Sequence, residues 1–152
     1  MSNDPKDLTT KIYAQWQEWD ARMTAKGIPH KITRVACRID EQMALYVKGR
    51  LPLKDVNRFM VAAGLPVIGQ ADDNVVTWTL ASKHIINPPL IICSFAFDFA
   101  ILKNGTPTWD IKVDVNQNDI PDYQEAGQIG KDCGLTWGGD FPTPDYCHLQ
   151  GT

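Results

Sequence analysis

The sequence predicts an α+β domain in which N-terminal helices pack on a small, mainly antiparallel sheet. Apolar residues recur at helical spacing in the N-terminal part, whereas residues 94–102 alternate between large apolar and small side chains as a strand does. Helical segments come first and strands follow, which favours an α+β over an alternating α/β architecture. With 152 residues, 43% of them hydrophobic, the chain can form one domain, residues 1–152, around a single core.

Three helices are predicted in the N-terminal part. The first covers residues 4–26, with Asp4 as its cap and Gly27 as its end. The second covers residues 39–49 and the third covers residues 53–63, and a glycine stops each of them. Their apolar stripes supply the faces that must be buried against the sheet.

Strands are predicted over residues 75–80, 94–102 and 106–113, where β-branched and aromatic residues are concentrated. A fourth helix is predicted over residues 121–132. The Gly- and Pro-rich tail is expected to close the sheet with one looped strand. This order places a short sheet after the N-terminal helices.

The strand over residues 94–102 presents two different faces. Phe95, Phe97, Phe99 and Ile101 share one face, which we predict to be core. Asp98 lies on the opposite face among serine and alanine residues, and room beside a carboxylate is typical of a cleft floor. The alternative is a solvent-facing aspartate on a half-exposed strand, and the strand pattern alone favours that alternative.

Charge and hydropathy exclude several classes of function. The net charge of −3 gives no electrostatic argument for binding nucleic acid or an anionic membrane. No apolar run approaches the roughly 20 residues that a membrane span needs. The N-terminal segment MSNDPKDLTT lacks the pattern of a secretory signal. We therefore expect a monomer, made in the cytosol, that recognises its substrate through a local site.

The chain has three histidines, His30, His84 and His148. A catalytic zinc needs about three protein ligands and one open position, so His84 and His148 with Asp98 would suffice. Asp145 precedes His148 by three residues, so a turn would bring the two side chains to one point, one as a ligand and the other as a proton acceptor. The alternative is that these histidines and aspartates are ordinary surface residues, and their spacing alone does not exclude that.

Ordered motifs connect these residues. They are Gln42 to Arg50 (QMALYVKGR), Ser82 to His84 (SKH), Ala96 to Asp98 (AFD), Gly134 to Phe141 (GLTWGGDF) and Asp145 to His148 (DYCH). In this order, over residues 33–148, the chain resembles the zinc peptidases that act on peptidoglycan stem peptides. These are the D-Ala-D-Ala carboxypeptidases and the phage L-alanyl-D-glutamate endopeptidases, which share a fold with the hedgehog signalling domain. The resemblance implies the same fold here.

The resemblance also implies a role for each matching residue. His84, Asp98 and His148 would bind zinc. Asp145 would be the general base that activates water and later protonates the leaving amine. Arg38 would stabilise the oxyanion of the tetrahedral intermediate as a fixed cation.

Two further positions carry implied roles near the substrate. Gln42 would hold the substrate or brace Arg38, and Ser82 would support the site from behind the ligands. Arg38 lies one position nearer to Gln42 than the family pattern suggests, so Arg34 is a rival for the role of Arg38.

The segment between the first two expected ligands departs from the family pattern. His84 and Asp98 are 14 residues apart, about twice the separation in many members. Residues 85–93 form an apolar, proline-containing loop between them. We expect this loop to form part of the cleft wall.

The implied function is zinc-dependent hydrolysis of peptidoglycan, at the L-Ala–D-Glu bond, by a phage or prophage endolysin that reaches the wall through holin pores. A D-alanyl-D-alanine carboxypeptidase is an alternative with the same chemistry. A non-catalytic zinc-containing domain that binds the wall or a partner is an alternative of another class. Asp145 argues against the last alternative, because binding alone needs no proton acceptor.

A second metal signal lies in residues 114–125. Six positions follow the one-three-five-seven-nine-twelve spacing of a calcium loop and run into a predicted helix. They are Asp114, Asn116, Asn118, Ile120, Asp122 and Glu125. Asp119 stands where such loops usually carry glycine, so an Asn/Asp-rich turn with a helix cap is the alternative. The sequence therefore leaves two possibilities open for this loop: calcium binding and an Asn/Asp-rich turn.

Overall fold

The computed structural model describes every residue, 1–152, and contains four α-helices. They are α1 (Thr10–Ala25), α2 (Ile39–Tyr46), α3 (Leu53–Ala62) and α4 (Asp122–Asp132). The helices predicted over 39–49, 53–63 and 121–132 are therefore confirmed, although α2 ends at Tyr46.

The start of the first predicted helix is wrong. Asp4 caps a separate 3₁₀ turn over Pro5–Asp7 by accepting the backbone N–H of Lys6. Thr9 then caps α1 by accepting the backbone N–H of Ile12. Two successive side-chain caps divide the periodic segment into a short turn and a longer helix, because each satisfies a backbone donor at a new helix start.

The predicted α+β fold with an antiparallel sheet is confirmed. The strands are β1 (His30–Arg34), β2 (Cys37–Arg38), β3 (Ile85–Ile86), β4 (Ala96–Lys103), β5 (Thr106–Thr108), β6 (Leu135–Trp137) and β7 (His148–Gly151). The main sheet has the order β1-β4-β7-β6, with β5 also paired to β4, and every pairing in it is antiparallel. Strands β2 and β3 form a separate parallel pair.

The core lies on one face of β4. Phe97, Phe99 and Ile101 are buried there, and the indole of Trp19 from α1 packs edge-on against the ring of Phe97. The indole N–H of Trp19 donates to the carbonyl of Ala126 in α4, 2.9 Å away. Helices α1 and α4 are thereby joined to each other and to the sheet, because one side chain contacts all three elements.

Helices α2 and α3 form a smaller unit beside this core. They bury their own apolar cluster, which consists of Ala44, Val47, Val56, Met60 and Ala63. Of the three predicted N-terminal helices, only α1 therefore packs directly in the core of the main sheet. None of the helices combines the length and the apolar character that a membrane span needs.

Three strand predictions need correction. Residues 75–80 form no strand, because their backbone is held by side chains of α2 and the turn after it rather than by another strand. The strand predicted over 106–113 ends at Thr108. Phe95, predicted as core, precedes β4 and is 47% exposed. Strand β1 has no clear alternation in its sequence and was not predicted.

We predict that Phe97→Ala lowers the free energy of unfolding by about 3–5 kcal/mol, because it leaves a cavity beside Trp19 in the core. Phe95→Ala, two residues away on a half-exposed side chain, should cost less than about 1 kcal/mol. Urea denaturation of both variants measures the difference. Equal losses would contradict the burial described here.

Candidate active site

Three side chains from distant parts of the chain meet beneath a cleft. His84, Asp98 and His148 offer ligand atoms that all lie within 4.8 Å of one another, and all three residues are buried. The Nε2 atom of His84 lies 3.1 Å from Oδ1 of Asp98 and 3.2 Å from Nδ1 of His148. The same Oδ1 lies 2.9 Å from Nδ1 of His148. No other group of three or more His, Cys, Asp and Glu side chains is close enough to share an ion.

The sheet register places two of these residues side by side. Asp98 in β4 is directly opposite His148 in β7, and opposite residues of an antiparallel pair project from the same face. Phe97 and Phe99, the neighbours of Asp98, point to the core face. The alternation of β4 therefore puts the core on one side and the site on the other.

His84 joins the cluster although 14 residues separate it from Asp98. The two ends of the intervening loop lie next to each other, because the N–H of Phe95 donates to the carbonyl of Lys83 at 3.0 Å. The side chain of Ser94 also donates to the Lys83 carbonyl. None of residues 85–93 lines the cleft, and Leu90 within this loop is 83% exposed. The expectation that residues 85–93 line the cleft is therefore wrong.

The outer ring nitrogens of both histidines are engaged by oxygen atoms. Nδ1 of His84 donates to the carbonyl of Val35 at 2.7 Å, and Nε2 of His148 donates to Oε1 of Gln150 at 3.1 Å. In neutral rings the two inner nitrogens then carry lone pairs. Two lone pairs and a carboxylate oxygen of Asp98 thus converge on one point. Such a donor set fits zinc, for which two histidines and a carboxylate are common ligands.

The electrostatics of the cluster also favour a cation at this site. Burial favours the neutral form of Asp98, but the nearby His84 and Arg34 outweigh it, so the pKa of Asp98 lies well below its usual range. Burial also favours the neutral ring of His148, but the hydrogen bond and charge of Asp98 outweigh it and raise the pKa of His148. The carboxylate therefore attracts positive charge to its neighbours, and a bound cation would replace a proton there.

Arg34 is the arginine that reaches this cluster. Its Nε donates to Oδ2 of Asp98 at 2.8 Å. Strand β1 pairs residue by residue with β4 until Ile32 faces Phe99, and the next recorded pair is Arg34 with Asp98. The extra residue is a β-bulge, and without it Arg34 would face Phe97 on the core side. The bulge thus turns Arg34 toward the site.

Arg38 does not lie at the site, contrary to expectation. Its guanidinium pairs with Asp40 and donates to the carbonyl of Ala63 at 2.9 Å. The side chain is 53% exposed. As the first turn of α2 begins directly after Arg38, its side chain is drawn to acidic groups of that turn, Asp40 and Glu41. Of the two rival arginines, Arg34 therefore lies at the site and Arg38 does not.

Asp145 and His148 lie at the two ends of one turn. The N–H of His148 donates to the carbonyl of Asp145, and the N–H of Asp145 donates to the carbonyl of Gly138. The side chains of Asp145 and His148 line the same cleft. The thiol of Cys147 donates to Oδ1 of Asp145 at 3.1 Å. Burial raises the pKa of Cys147, so that thiol stays protonated and can hold the carboxylate in place.

The Trp-Gly-Gly sequence before this turn has a packing explanation. The indole N–H of Trp137 donates to the carbonyl of Tyr146 at 3.0 Å. A Cβ at Gly139 would overlap the ring of Trp137. A Cβ at Gly138 would overlap the carbonyl oxygen of Asp145 and lie 3.0 Å from Cβ of His148. The two glycines therefore let the final turn lie close enough to place Asp145 and His148 in the cleft.

The cleft above the cluster has a volume of about 470 Å³. Residues 77–83 form one wall and residues 141–150 form the other. Its lining residues are Arg34, Thr77, Trp78, Thr79, Ala81, Ser82, Lys83, Phe141, Pro142, Thr143, Asp145, His148 and Gln150.

The two expected supporting residues occupy different positions. Ser82 lines the cleft, and its Oγ accepts the N–H of His84 at 3.2 Å, so it braces the backbone of His84. Gln42 is fully buried and does not reach the cleft. Its amide donates to Oγ1 of Thr77 and to the carbonyl of Thr79. Gln42 therefore braces a cleft wall, rather than holding substrate or Arg38.

The loop over residues 114–125 does not support calcium binding. Asp114 accepts the backbone N–H groups of Asn118 and Asp119. Glu125 accepts the side-chain amides of Asn116 and Asn118 and pairs with the ammonium group of Lys26 at 2.7 Å. Asp122 accepts the N–H of Val115, and Ile120 is a half-exposed residue of the turn. The carboxylates serve internal hydrogen bonds and Lys26 supplies the positive charge, as in an Asn/Asp-rich turn with a helix cap.

A buried carboxylate and two histidines beneath a cleft, with a second carboxylate on its wall, form a site of the zinc-peptidase class. A family model described as D-alanyl-D-alanine carboxypeptidase matches residues 92–151, which include Asp98, Asp145 and His148. The chain is 30% identical over 148 residues to peptidoglycan L-alanyl-D-glutamate endopeptidase CwlK of Bacillus subtilis (strain 168), with 96% of this chain and 74% of that protein covered.

A solved structure supports the fold. The L-Ala D-Glu endopeptidase ChiX of Serratia marcescens superimposes with a TM-score of 0.55 at 17% identity, and 97% of this chain and 83% of that chain are covered. The chain belongs to the zinc metallopeptidase family that contains the D-alanyl-D-alanine carboxypeptidases and the L-alanyl-D-glutamate endopeptidases.

We predict that Gly138→Ala weakens zinc binding roughly tenfold or more, because its Cβ would push away the turn that carries Asp145 and His148. Gly69→Ala is the matched control, since a Cβ at Gly69 meets no atom within 4 Å. Competition with a chelating dye measures both affinities. Equal affinities would show that close packing at Gly138 does not position the ligands.

Proposed function

We propose that this chain is a zinc-dependent peptidase of bacterial peptidoglycan that hydrolyses the L-Ala–D-Glu bond of the stem peptide. The observation that carries the proposal is the convergence of three acceptor atoms, from His84, Asp98 and His148, beneath a cleft that also holds Asp145. The bond and the substrate are proposed by analogy with CwlK and ChiX, both named for that activity.

His84 through Nε2, His148 through Nδ1 and Asp98 through its carboxylate would hold the metal. Bound zinc supplies a Lewis acid that polarises the scissile carbonyl and lowers the pKa of water to about 7. Val35 and Gln150 fix the orientation of the two rings through their outer nitrogens.

Asp145 is the proposed general base. Its carboxylate takes a proton from the attacking water as the new carbon–oxygen bond forms, and returns that proton to the amine of D-Glu as the carbon–nitrogen bond breaks. The thiol of Cys147 holds Oδ1 of Asp145, which leaves Oδ2 for the proton. The carboxylate therefore ends the cycle in its starting state.

Arg34 is the proposed stabiliser of the oxyanion. Its Nε donates to Asp98, no side-chain hydrogen bond engages its terminal nitrogens, and Arg34 is one of the residues that line the cleft. A guanidinium that is already held in position needs little reorganisation when negative charge develops on the carbonyl oxygen.

The setting we propose is lysis of a bacterial host by a phage or prophage, with release to the wall through holin pores. The D-alanyl-D-alanine carboxypeptidase alternative has one specific point in its favour, the description of the family model that matches residues 92–151.

Digestion of a defined muropeptide, followed by mass spectrometry, tests the proposal. The wild-type protein should release a muramyl product that ends in L-Ala, without free D-Ala. Release of free D-Ala would support the carboxypeptidase. A protein that binds one zinc and leaves the muropeptide intact would be the non-catalytic domain, and the proposal would fail.

In the same digest, Asp145→Ala should retain zinc and lose activity about 10²–10⁴-fold, because only the proton acceptor is removed. His84→Ala should lose both zinc and activity. Elemental analysis of the purified variants provides the metal content. Full activity in Asp145→Ala would overturn the assignment of the base.

We predict that Arg34→Ala lowers kcat about 10²–10³-fold, because a preorganised cation facing the oxyanion is lost. Arg38→Ala is the matched control and should change kcat less than about twofold, since the guanidinium of Arg38 contacts Asp40 and the carbonyl of Ala63, outside the cleft. The two variants are compared by their steady-state rates on the muropeptide, and their zinc content is measured in parallel. A large loss in Arg38→Ala alone would restore the role to Arg38.

A further inference from the structure

We infer that Trp78 is a stacking platform for the muramyl sugar ring that adjoins the scissile peptide; this inference rests on the proposed function. Trp78 lines the cleft above the metal cluster, on the wall formed by residues 77–83, and is 65% exposed. It lies in neither apolar cluster of the core. An indole that is exposed at a substrate cleft and has no packing role is available for a ligand.

The backbone on both sides of Trp78 is fixed from beneath. The buried amide of Gln42 donates to Oγ1 of Thr77 at 3.0 Å and to the carbonyl of Thr79 at 2.8 Å. Arg50 donates to the carbonyl of Thr77 at 3.0 Å. Three hydrogen bonds therefore hold the residues that flank the indole, although this segment belongs to no strand.

One face of the indole is also supported. The guanidinium carbon of Arg50 lies over the ring, 5.6 Å from its centroid, within the range of a cation–π contact. Trp78 as a whole is 65% exposed, so much of its ring is accessible to a ligand. An exposed ring that a guanidinium contacts, on a backbone held by hydrogen bonds, is partly preorganised for stacking, because less freedom is lost when the ligand arrives.

The chemistry of the proposed substrate indicates which group stacks there. L-Ala offers a methyl group and D-Glu offers a carboxylate, and neither has a flat apolar surface of the size of an indole. The pyranose ring of muramic acid presents such a surface in its C–H groups. Because L-Ala is joined to the lactyl group of that sugar, the ring lies only one residue from the scissile bond.

The test compares two substrates of identical stem peptide, one carrying N-acetylmuramic acid and one carrying an acetyl group in its place. Trp78→Ala should raise KM for the muramyl substrate roughly five- to tenfold, the effect of losing one stacked ring contact. The kcat of Trp78→Ala on the muramyl substrate should equal that of the wild type. Its kcat/KM on the acetyl substrate should also be unchanged. If turnover of the acetyl substrate is too slow to measure, its inhibition constant against cleavage of the muramyl substrate is compared between the wild type and the variant instead of KM.

Two further variants serve as controls. Trp78→Phe should keep most of the affinity for the muramyl substrate, because it retains an aromatic face. Trp109→Ala removes a tryptophan of similar exposure, 60%, that does not line the cleft, and should change neither substrate.

Equal losses on both substrates would overturn the inference, since Trp78 would then contact the peptide or shape the wall. Unchanged KM values in Trp78→Ala would overturn it as well. Failure of the proposed function gives a different result: the wild-type protein would then cleave the L-Ala–D-Glu bond of neither substrate.

Discussion

Three hydrogen-bond acceptor atoms face one another in a buried space, and they repel one another. Much of the structure serves to hold them in this position. Nε2 of His84, Nδ1 of His148 and Oδ1 of Asp98 lie within 3.2 Å of each other. Such proximity is unfavourable unless a proton or a cation lies between them. Each group is held from outside, by Val35, Gln150 or Arg34, so none can turn away without losing a hydrogen bond.

Strand β4 links this site to the stability of the domain. Phe97 and Phe99 bury one face of the strand against Trp19, and Asp98 between them projects from the other face. A shift of the strand by one residue would turn Asp98 toward the core and the two phenylalanines toward the site. The packing of α1 and α4 on the aromatic face therefore also fixes the position of Asp98.

Much of this arrangement follows from local patterns in the sequence. The alternation in residues 94–102 places Asp98 opposite the core, and the helices over 39–49, 53–63 and 121–132 end near glycines. Periodicity identifies such elements because it reflects which face is buried. Family motifs then add Asp145, which spacing alone leaves ambiguous.

Other features depend on contacts that no local pattern records. The bulge that turns Arg34 toward Asp98 is a property of the pairing between β1 and β4, and the ion pairs of Arg38 are set by the start of α2. Residues 75–80 have the composition of a strand, but their carbonyls accept from Gln42 and Arg50. Tertiary hydrogen bonds overrode β propensity there.

We propose that a zinc ion, rather than a proton, occupies the space between the facing acceptors. Thermal unfolding of metal-free protein, measured as zinc is added, tests this most directly, because a ligand that binds only the folded state raises the unfolding midpoint. We expect the midpoint to rise with zinc in the wild-type protein and to stay constant in His84→Ala. An unchanged midpoint in the wild type, or an equal rise in the variant, would contradict the account.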